Sequence, residues 1–244
     1  SGTGIINATN TTIGAGGTLT LVNQGTGAID GAAAGQGALV FGGNYNTDSA
    51  LGGTNSLASI TVNGGTTLTL DQNAAVTAMS IAGIVNKSTA SGITATTTIQ
   101  DTGTLNVASG FTHTGNVVLG GGAGGTLDLG TATLNVTGAF AMNAGSTFET
   151  TINSATDDDA GRIVSTGLAT VAAGTTLNLT VTDAAAGSTY KIIDGAAGGA
   201  VSVPTTIIDD FAALDFTAST DGNDLTLTAA FATTLTAGLS PNAM

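Results

Sequence analysis

Carboxylates are the only abundant reactive groups in this 244-residue chain, which carries sixteen acidic residues against three basic ones. The densest group, Asp157-Asp158-Asp159, offers oxygen ligands of the kind Ca²⁺ takes. Three consecutive side chains in a loop rarely converge on one ion. The run therefore reads as a solvated loop with Arg162 as a nearby counter-charge, and Ca²⁺ is the one cofactor left open. Asp209-Asp210 with Asp215, and Asp221 with Asp224, could pair as general acid and base. That role needs a cleft that holds the two carboxyls at a set separation. The basic and aromatic residues that would line such a groove are nearly missing, since only Lys87, Arg162 and Lys191 are cationic.

Other motifs carry less. Gly121-Gly122-Ala123-Gly124-Gly125-Thr126-Leu127-Asp128 resembles one unit of a calcium-binding glycine repeat, but Thr126 stands at the ligand position and no second unit follows. It is expected to be a turn before a strand. His113 is the only histidine, and with no cysteine it has no partner set for a transition metal. No Gly-x-Ser-x-Gly elbow accompanies it, so it is expected on the surface of a strand or loop. Glu149 follows Phe148 in a strand signature and is expected to point outward. Asn7, Asn10, Asn86, Asn135 and Asn178 each open an Asn-x-Ser/Thr triplet, as chance allows in so Thr-rich a chain. No phosphate loop is present. The sequence assigns no catalytic, cofactor-binding or metal residue, and an enzyme is not expected.

Composition narrows the class. Only 8% of residues are charged, against about 25% in an average soluble domain. Yet 41% are hydrophobic and mean hydropathy is +0.36, so the chain should fold rather than stay disordered. Three scattered cations in a chain of net charge −13 cannot neutralise phosphates, which excludes nucleic acid and disfavours an anionic membrane surface. No apolar run reaches the ~20 residues of a transmembrane helix, so this chain is not expected to insert in a membrane. Zero Cys rules out disulfides. The chain opens Ser1-Gly2-Thr3-Gly4 without a signal peptide, and upstream residues are expected to have been removed.

The elements that must position these residues are short strands. Apolar-x-apolar signatures begin at Leu19, Leu39, Ile60, Ile81, Leu105, Leu127 and Phe148, at a near-constant step. That period marks a solenoid, in which each repeat covers its neighbour's apolar face. Gly16-Gly17, Gly42-Gly43, Gly64-Gly65 and Gly124-Gly125 read as corners, and the near absence of Pro suits unbroken hydrogen-bonded ladders. Second strands at Leu68-Thr69-Leu70, Val117-Val118-Leu119 and Leu134-Asn135-Val136 imply coils of two or three faces, with stacked Thr and Asn on the outside. At ~21 residues per coil the chain would make about eleven coils and a rod on the order of 50 Å. The expected fold is all-β, a right-handed parallel β-helix over 1–183. An antiparallel sandwich is the alternative, since it too shows strands every ~8–12 residues.

The texture changes near residue 184. Thr205 to Ile208, Leu214 to Phe216 and Asp224 to Thr228 read as strands, and Asp221-Gly222-Asn223-Asp224 as a hairpin turn. With Tyr190, Phe211 and Phe216 this stretch, 184–230, is the expected C-terminal β-hairpin cap, and 231–244 a linker. Gly187-Ser188-Thr189-Tyr190-Lys191-Ile192-Ile193-Asp194, followed by Asp224-Leu225-Thr226-Leu227, resembles the strands near the end of bacterial autotransporter passengers. Leu239-Ser240-Pro241-Asn242-Ala243-Met244 is similar to the start of the linker that leads to the outer-membrane barrel. The resemblance covers about residues 170–244. It implies an extracellular location on the bacterial surface, a barrel downstream in the precursor, and a C-terminal segment that folds first and templates the rest.

Two functions follow as expectations. One is a non-enzymatic, adhesin-like rod whose partner is a host or abiotic surface. The other is a self-assembling subunit of an extracellular filament or surface lattice. A polysaccharide-active enzyme comes third, for want of catalytic residues.

Overall fold

The computed structural model describes residues 7–108, 110–120, 124–155 and 160–232. Its described residues form strands and turns only, with no helix. The described residues wind through nine laps. The first holds β1 (Asn7–Ile13) and β2 (Thr18–Leu21), and the second β3 (Thr26–Gly31), β4 (Ala38–Phe41) and β5 (Tyr45–Asn46). The third holds β6 (Leu57–Val62) and β7 (Thr67–Thr69), the fourth β8 (Ala74–Ile81) and β9 (Ile84–Lys87), the fifth β10 (Ile93–Ile99) and β11 (Thr104–Val107). The sixth holds β12 (Phe111–Thr114), β13 (Val117–Leu119) and β14 (Thr126–Asp128). The seventh holds β15 (Thr133–Val136), β16 (Phe140–Met142) and β17 (Thr147–Asn153). The last two hold β18 (Arg162–Val171) with β19 (Thr176–Asp183), and β20 (Thr189–Val201) with β21 (Thr206–Asp209). An antiparallel hairpin, β22 (Leu214–Thr220) and β23 (Leu225–Phe231), follows.

Every named strand pair from β1 to β21 is parallel, which decides for the solenoid over the antiparallel sandwich. Each lap presents three faces. Face 1 contains β1, β3, β12, β15 and the first halves of β8, β10, β18 and β20. Face 2 contains β2, β4, β6, β13, β16 and the second halves of those long strands. The division is visible in β10, where Ile93 pairs with His113 of β12 but Thr97 pairs with Val117 of β13. Face 3 is a separate sheet in the order β21-β19-β17-β14-β11-β9-β7-β5. In the first lap a side chain replaces its strand: Gln24 accepts from the Asn46 amide at 2.7 Å and donates to the Asn46 carbonyl.

Alternation turns one side chain in two inward, and the register stacks them into columns. On face 2, Leu21, Phe41, Val62, Ile81, Ile99, Leu119, Met142, Val171 and Val201 form one buried column, one residue per lap. On face 3 the column is Tyr45, Leu68, Val85, Leu105, Leu127, Phe148, Leu177 and Ile207. A single contiguous core results.

Three sequence expectations change here. The seven landmarks do not share one stack. Leu19, Leu39 and Ile60 stack on face 2, Ile81 lies one column over opposite Val62, and Leu105, Leu127 and Phe148 stack on face 3. All faces use the same apolar-x-apolar signature, so a fixed count slips from one face to another when laps shorten. They do shorten after Ile60, which pairs with Met79, and again from Met79 to its partner Thr97. Later laps lengthen markedly, as the pairing of Phe140 with Ala169 and of Thr170 with Ala200 shows. That is where the period is lost to sequence, and why nine laps form instead of about eleven, with a stack of roughly 40 Å. Winding also continues beyond residue 183. β20 and β21 still pair in parallel with β18 and β19, and only β22 and β23 turn antiparallel.

The four glycine corners lie between strands as expected. Gly103 sits at a tight corner, since a Cβ there would lie 2.0 Å from the Ile81 carbonyl oxygen. Gly115 adds a φ of +119° to a similar 2.0 Å approach to the Ala95 carbonyl. The hairpin covers the free edge of β20, with Tyr190 opposite Leu227. Asp221 Oδ1 accepts from the amides of Asn223 and Asp224, closing the turn read from sequence.

Candidate functional surface

Face 3 presents a regular outer surface. Its outward positions fall into two rows. The first is Thr67, Ile84, Thr104, Thr126, Thr147, Thr176 and Thr206, six hydroxyls in seven laps. The second is Asn46, Thr69, Asn86, Asn106, Asp128, Glu149, Asn178 and Ile208. Here two rungs of the expected ladders are made, both by Asn. Asn106 Nδ2 donates to Asn86 Oδ1 at 2.7 Å, and Asn178 Nδ2 donates to Glu149 Oε1 at 3.2 Å. Strand pairing sets these side chains ~4.8 Å apart, so each amide spans one lap. Glu149 points outward and is half-buried. Asp128 and Glu149 stack in register, placing two carboxylates on neighbouring laps.

Beside Asn106 and Asp128 the surface opens into a cavity of about 370 Å³, lined by Asn106, Val107, Ala108, Asp128, Leu129, Gly130 and Thr131. Asp128 Oδ1 is held by the Gly130 amide at 3.0 Å. Gly130 has a φ of +49°, the left-handed turn that brings its amide back to the carboxylate.

The remaining carboxylates mostly fasten backbone. Asp210 Oδ1 accepts from the Val181 amide at 2.8 Å, and Asp209 Oδ1 from the Phe211 amide at 3.1 Å. Asp224 accepts from the Gly195 amide at 3.0 Å and pairs with Lys191 at 2.7 Å. Amides of Asp224 and Asn223 hold the Asp221 carboxyl below the usual carboxylate range. Asp30, which the sequence did not single out, is buried and receives the Thr54 amide at 3.0 Å. Alternation about buried Ile29 would turn it outward, so its burial had no signal in the strand pattern. Asp157, Asp158 and Asp159, with any pairing to Arg162, lie outside the described residues, as do Gly121 to Ala123 and the linker from Thr233. Among the described residues no three His, Asp or Glu side chains gather into a metal-sized group.

His113 lies in a strand, but it is fully buried, not on the surface. In β12 the pattern Phe111-Thr112-His113-Thr114 alternates inward and outward, so Phe111 and His113 share the inner side. His113 stacks between Ile93 and Val136. Its Nε2 is 2.8 Å from Thr97 Oγ1, and its Nδ1 has no hydrogen-bond partner. Burial pushes the imidazole down to about 4, from 6.5. The signal for this was Phe111, two positions earlier in the same period.

Lys87 is another buried polar group that sequence reading missed. It ends β9 at an inward position opposite Val107 and is 1% exposed. Its ammonium donates to the Thr89 carbonyl at 3.1 Å, Thr89 Oγ1 at 2.9 Å and Ser91 Oγ at 2.6 Å, matching its three protons. Thr89 and Ser91 pass hydrogen bonds on to the Asp71 carbonyl, and the Phe111 ring lies 5.7 Å from the ammonium. Burial lowers the Lys87 pKa, and the Asp71 charge opposes that. This is a corner latch, and its satisfied donors describe a protonated lysine.

No protein-family model and no curated protein sequence matches this chain, so register, ladders and buried polar groups are what a functional reading rests on.

Proposed function

We propose that this chain is a non-enzymatic rod of the bacterial cell surface, the C-terminal part of a passenger of the autotransporter kind. In this reading the solenoid spaces and displays an adhesive surface outside the cell, and a membrane barrel lies downstream in the precursor. The observation that carries it is the stack of nine parallel laps followed by an antiparallel hairpin at the segment whose residues resemble passenger ends. Carboxylates bonded to backbone amides, at Asp209, Asp210 and Asp224, also support it, because each has a structural role in tying turns or neighbouring strands. The test is antibody labelling of intact cells against lysed ones, paired with adhesion of a deletion strain to host cells and to plastic. Equal labelling of intact and lysed cells and reduced adhesion are expected. Labelling only after lysis would remove the reading.

One observation favours a second reading, self-assembly into a filament or lattice. β21 is the last strand of face 3 and has no described strand on its outer side, while its Ile208 is 51% exposed. An open apolar edge is a template for another strand. Electron microscopy of the purified chain separates the two, since ordered polymers at neutral pH belong only to the second.

A further inference from the structure

The cavity beside Asn106 and Asp128 follows from how two corners are tied. Between β9 and β11 pairing runs through to Lys87 and Val107, and the Ala108 amide then bonds back to the Lys87 carbonyl at 3.0 Å. This corner is pulled toward the lap before it. In the next lap the Leu129 amide bonds forward to the Glu149 carbonyl at 3.0 Å, and the Gly130 carbonyl receives the Thr151 amide at 2.7 Å. That corner is pulled the other way. Pairing between the two laps accordingly stops at Asn106 and Asp128, and a notch opens past it.

Two polar head groups at the notch, Asp128 and Asn106, are held by hydrogen bonds. The Gly130 amide anchors one oxygen of Asp128. Asn106 donates an amide proton to Asn86, which orients its head group along the ladder. Thr131 adds a hydroxyl, and exposed Ala108 a small apolar surface. We propose that this notch binds a neutral sugar residue at the end or on a branch of a glycan. Adjacent ring hydroxyls donate to Asp128 and exchange hydrogen bonds with Asn106 and Thr131, while the C–H face lies on Ala108. The stacked carboxylates of Asp128 and Glu149 repel anionic sugars. A divalent cation would meet one lining carboxylate only, too little charge for a retained Ca²⁺.

This inference deepens the adhesive reading and rests on it. The test titrates the full chain, labelled with ¹⁵N, with methyl glycosides of mannose, glucose, galactose, fucose and N-acetylglucosamine. Saturable shifts at the Gly130 amide and the Asn106 side chain are expected with at least one of them. Asp128→Ala, and Thr131→Trp as a plug, should each weaken that binding tenfold or more with the circular dichroism unchanged. No saturable shift with any glycoside, a shift that survives both substitutions, or a response to CaCl₂ alone would each overturn the assignment. Adhesion of intact cells is scored in parallel. A rod that adheres with a silent notch removes this site and leaves the surface reading standing. A notch that binds sugar in a chain never reached on intact cells removes the surface reading instead.

Discussion

His113 and Lys87 show how much a single inward position can carry in a narrow solenoid. Burial makes protonated His113 costly, and unfolded His113 titrates near 6.5 while the folded group titrates at about 4. The unfolded state therefore takes up the proton first as pH falls. Stability from this residue is complete above about pH 6.5, declines through the interval down to about 4, and is then flat, a loss of about 3 kcal/mol. Urea unfolding at pH 7 and pH 4 should give His113→Leu a smaller difference than wild type by about that amount. Equal differences would mean the imidazole does not drive the acid sensitivity. At Lys87 the ammonium and its three acceptors form one unit, so the two obvious replacements diverge. Lys87→Ala removes both stem and charge from a buried site and should cost about 2–4 kcal/mol. Lys87→Met keeps the stem against Phe111 and should cost less than half as much, because a well-packed apolar group often replaces a buried ion at little loss. Comparable melts for the two variants would contradict the latch.

At the scale of the element, the corners govern the faces. A parallel lap needs its backbone to pass within hydrogen-bonding distance of the lap below, which leaves no room for a side chain at the closest points. Gly103 is such a point, 2.0 Å from the Ile81 carbonyl oxygen if a Cβ were present, while at Gly64 the nearest atom is 3.8 Å away. Gly103→Ala should cost about 2–3 kcal/mol by forcing the backbone apart, and Gly64→Ala under about 0.5 kcal/mol. Chemical denaturation of both variants checks the contrast. Sequence marked the corners by their paired glycines, and it marked the strands by alternation. It could not say which face a strand joins, because Leu39-Val40-Phe41 on face 2 and Leu127-Asp128-Leu129 on face 3 obey the same period. The two rows of face 3 were legible as a tendency toward outward Thr and Asn. The notch was not, since it depends on which neighbour each corner bonds.

For the whole molecule, stacking makes stability local. Each lap touches its neighbours and little else, so damage at one end should not spread evenly. Leu227→Asp places a carboxylate in the buried contact opposite Tyr190, where Tyr190 also meets Phe216 and donates to the Ser154 carbonyl at 2.9 Å. Hydrogen exchange should then show lost protection in β20 and β23, with the amides of β8 and β10 unchanged. Uniform loss would point to a single cooperative unit.

By itself the sequence determined that this chain is built of short strands in stacked repeats, with polar residues outside and a hairpin at Asp221 to Asp224. These are local properties, written in alternation, glycine placement and turn chemistry. Only the tertiary structure decided the three faces, the drifting lap length, the inward turn of His113 and Lys87, and the notch at Asp128. Each of those depends on register between laps. Register is set by the sum of contacts between segments a full lap apart in the chain, and the lap itself varies in length. No single window of sequence contains both partners of such a contact.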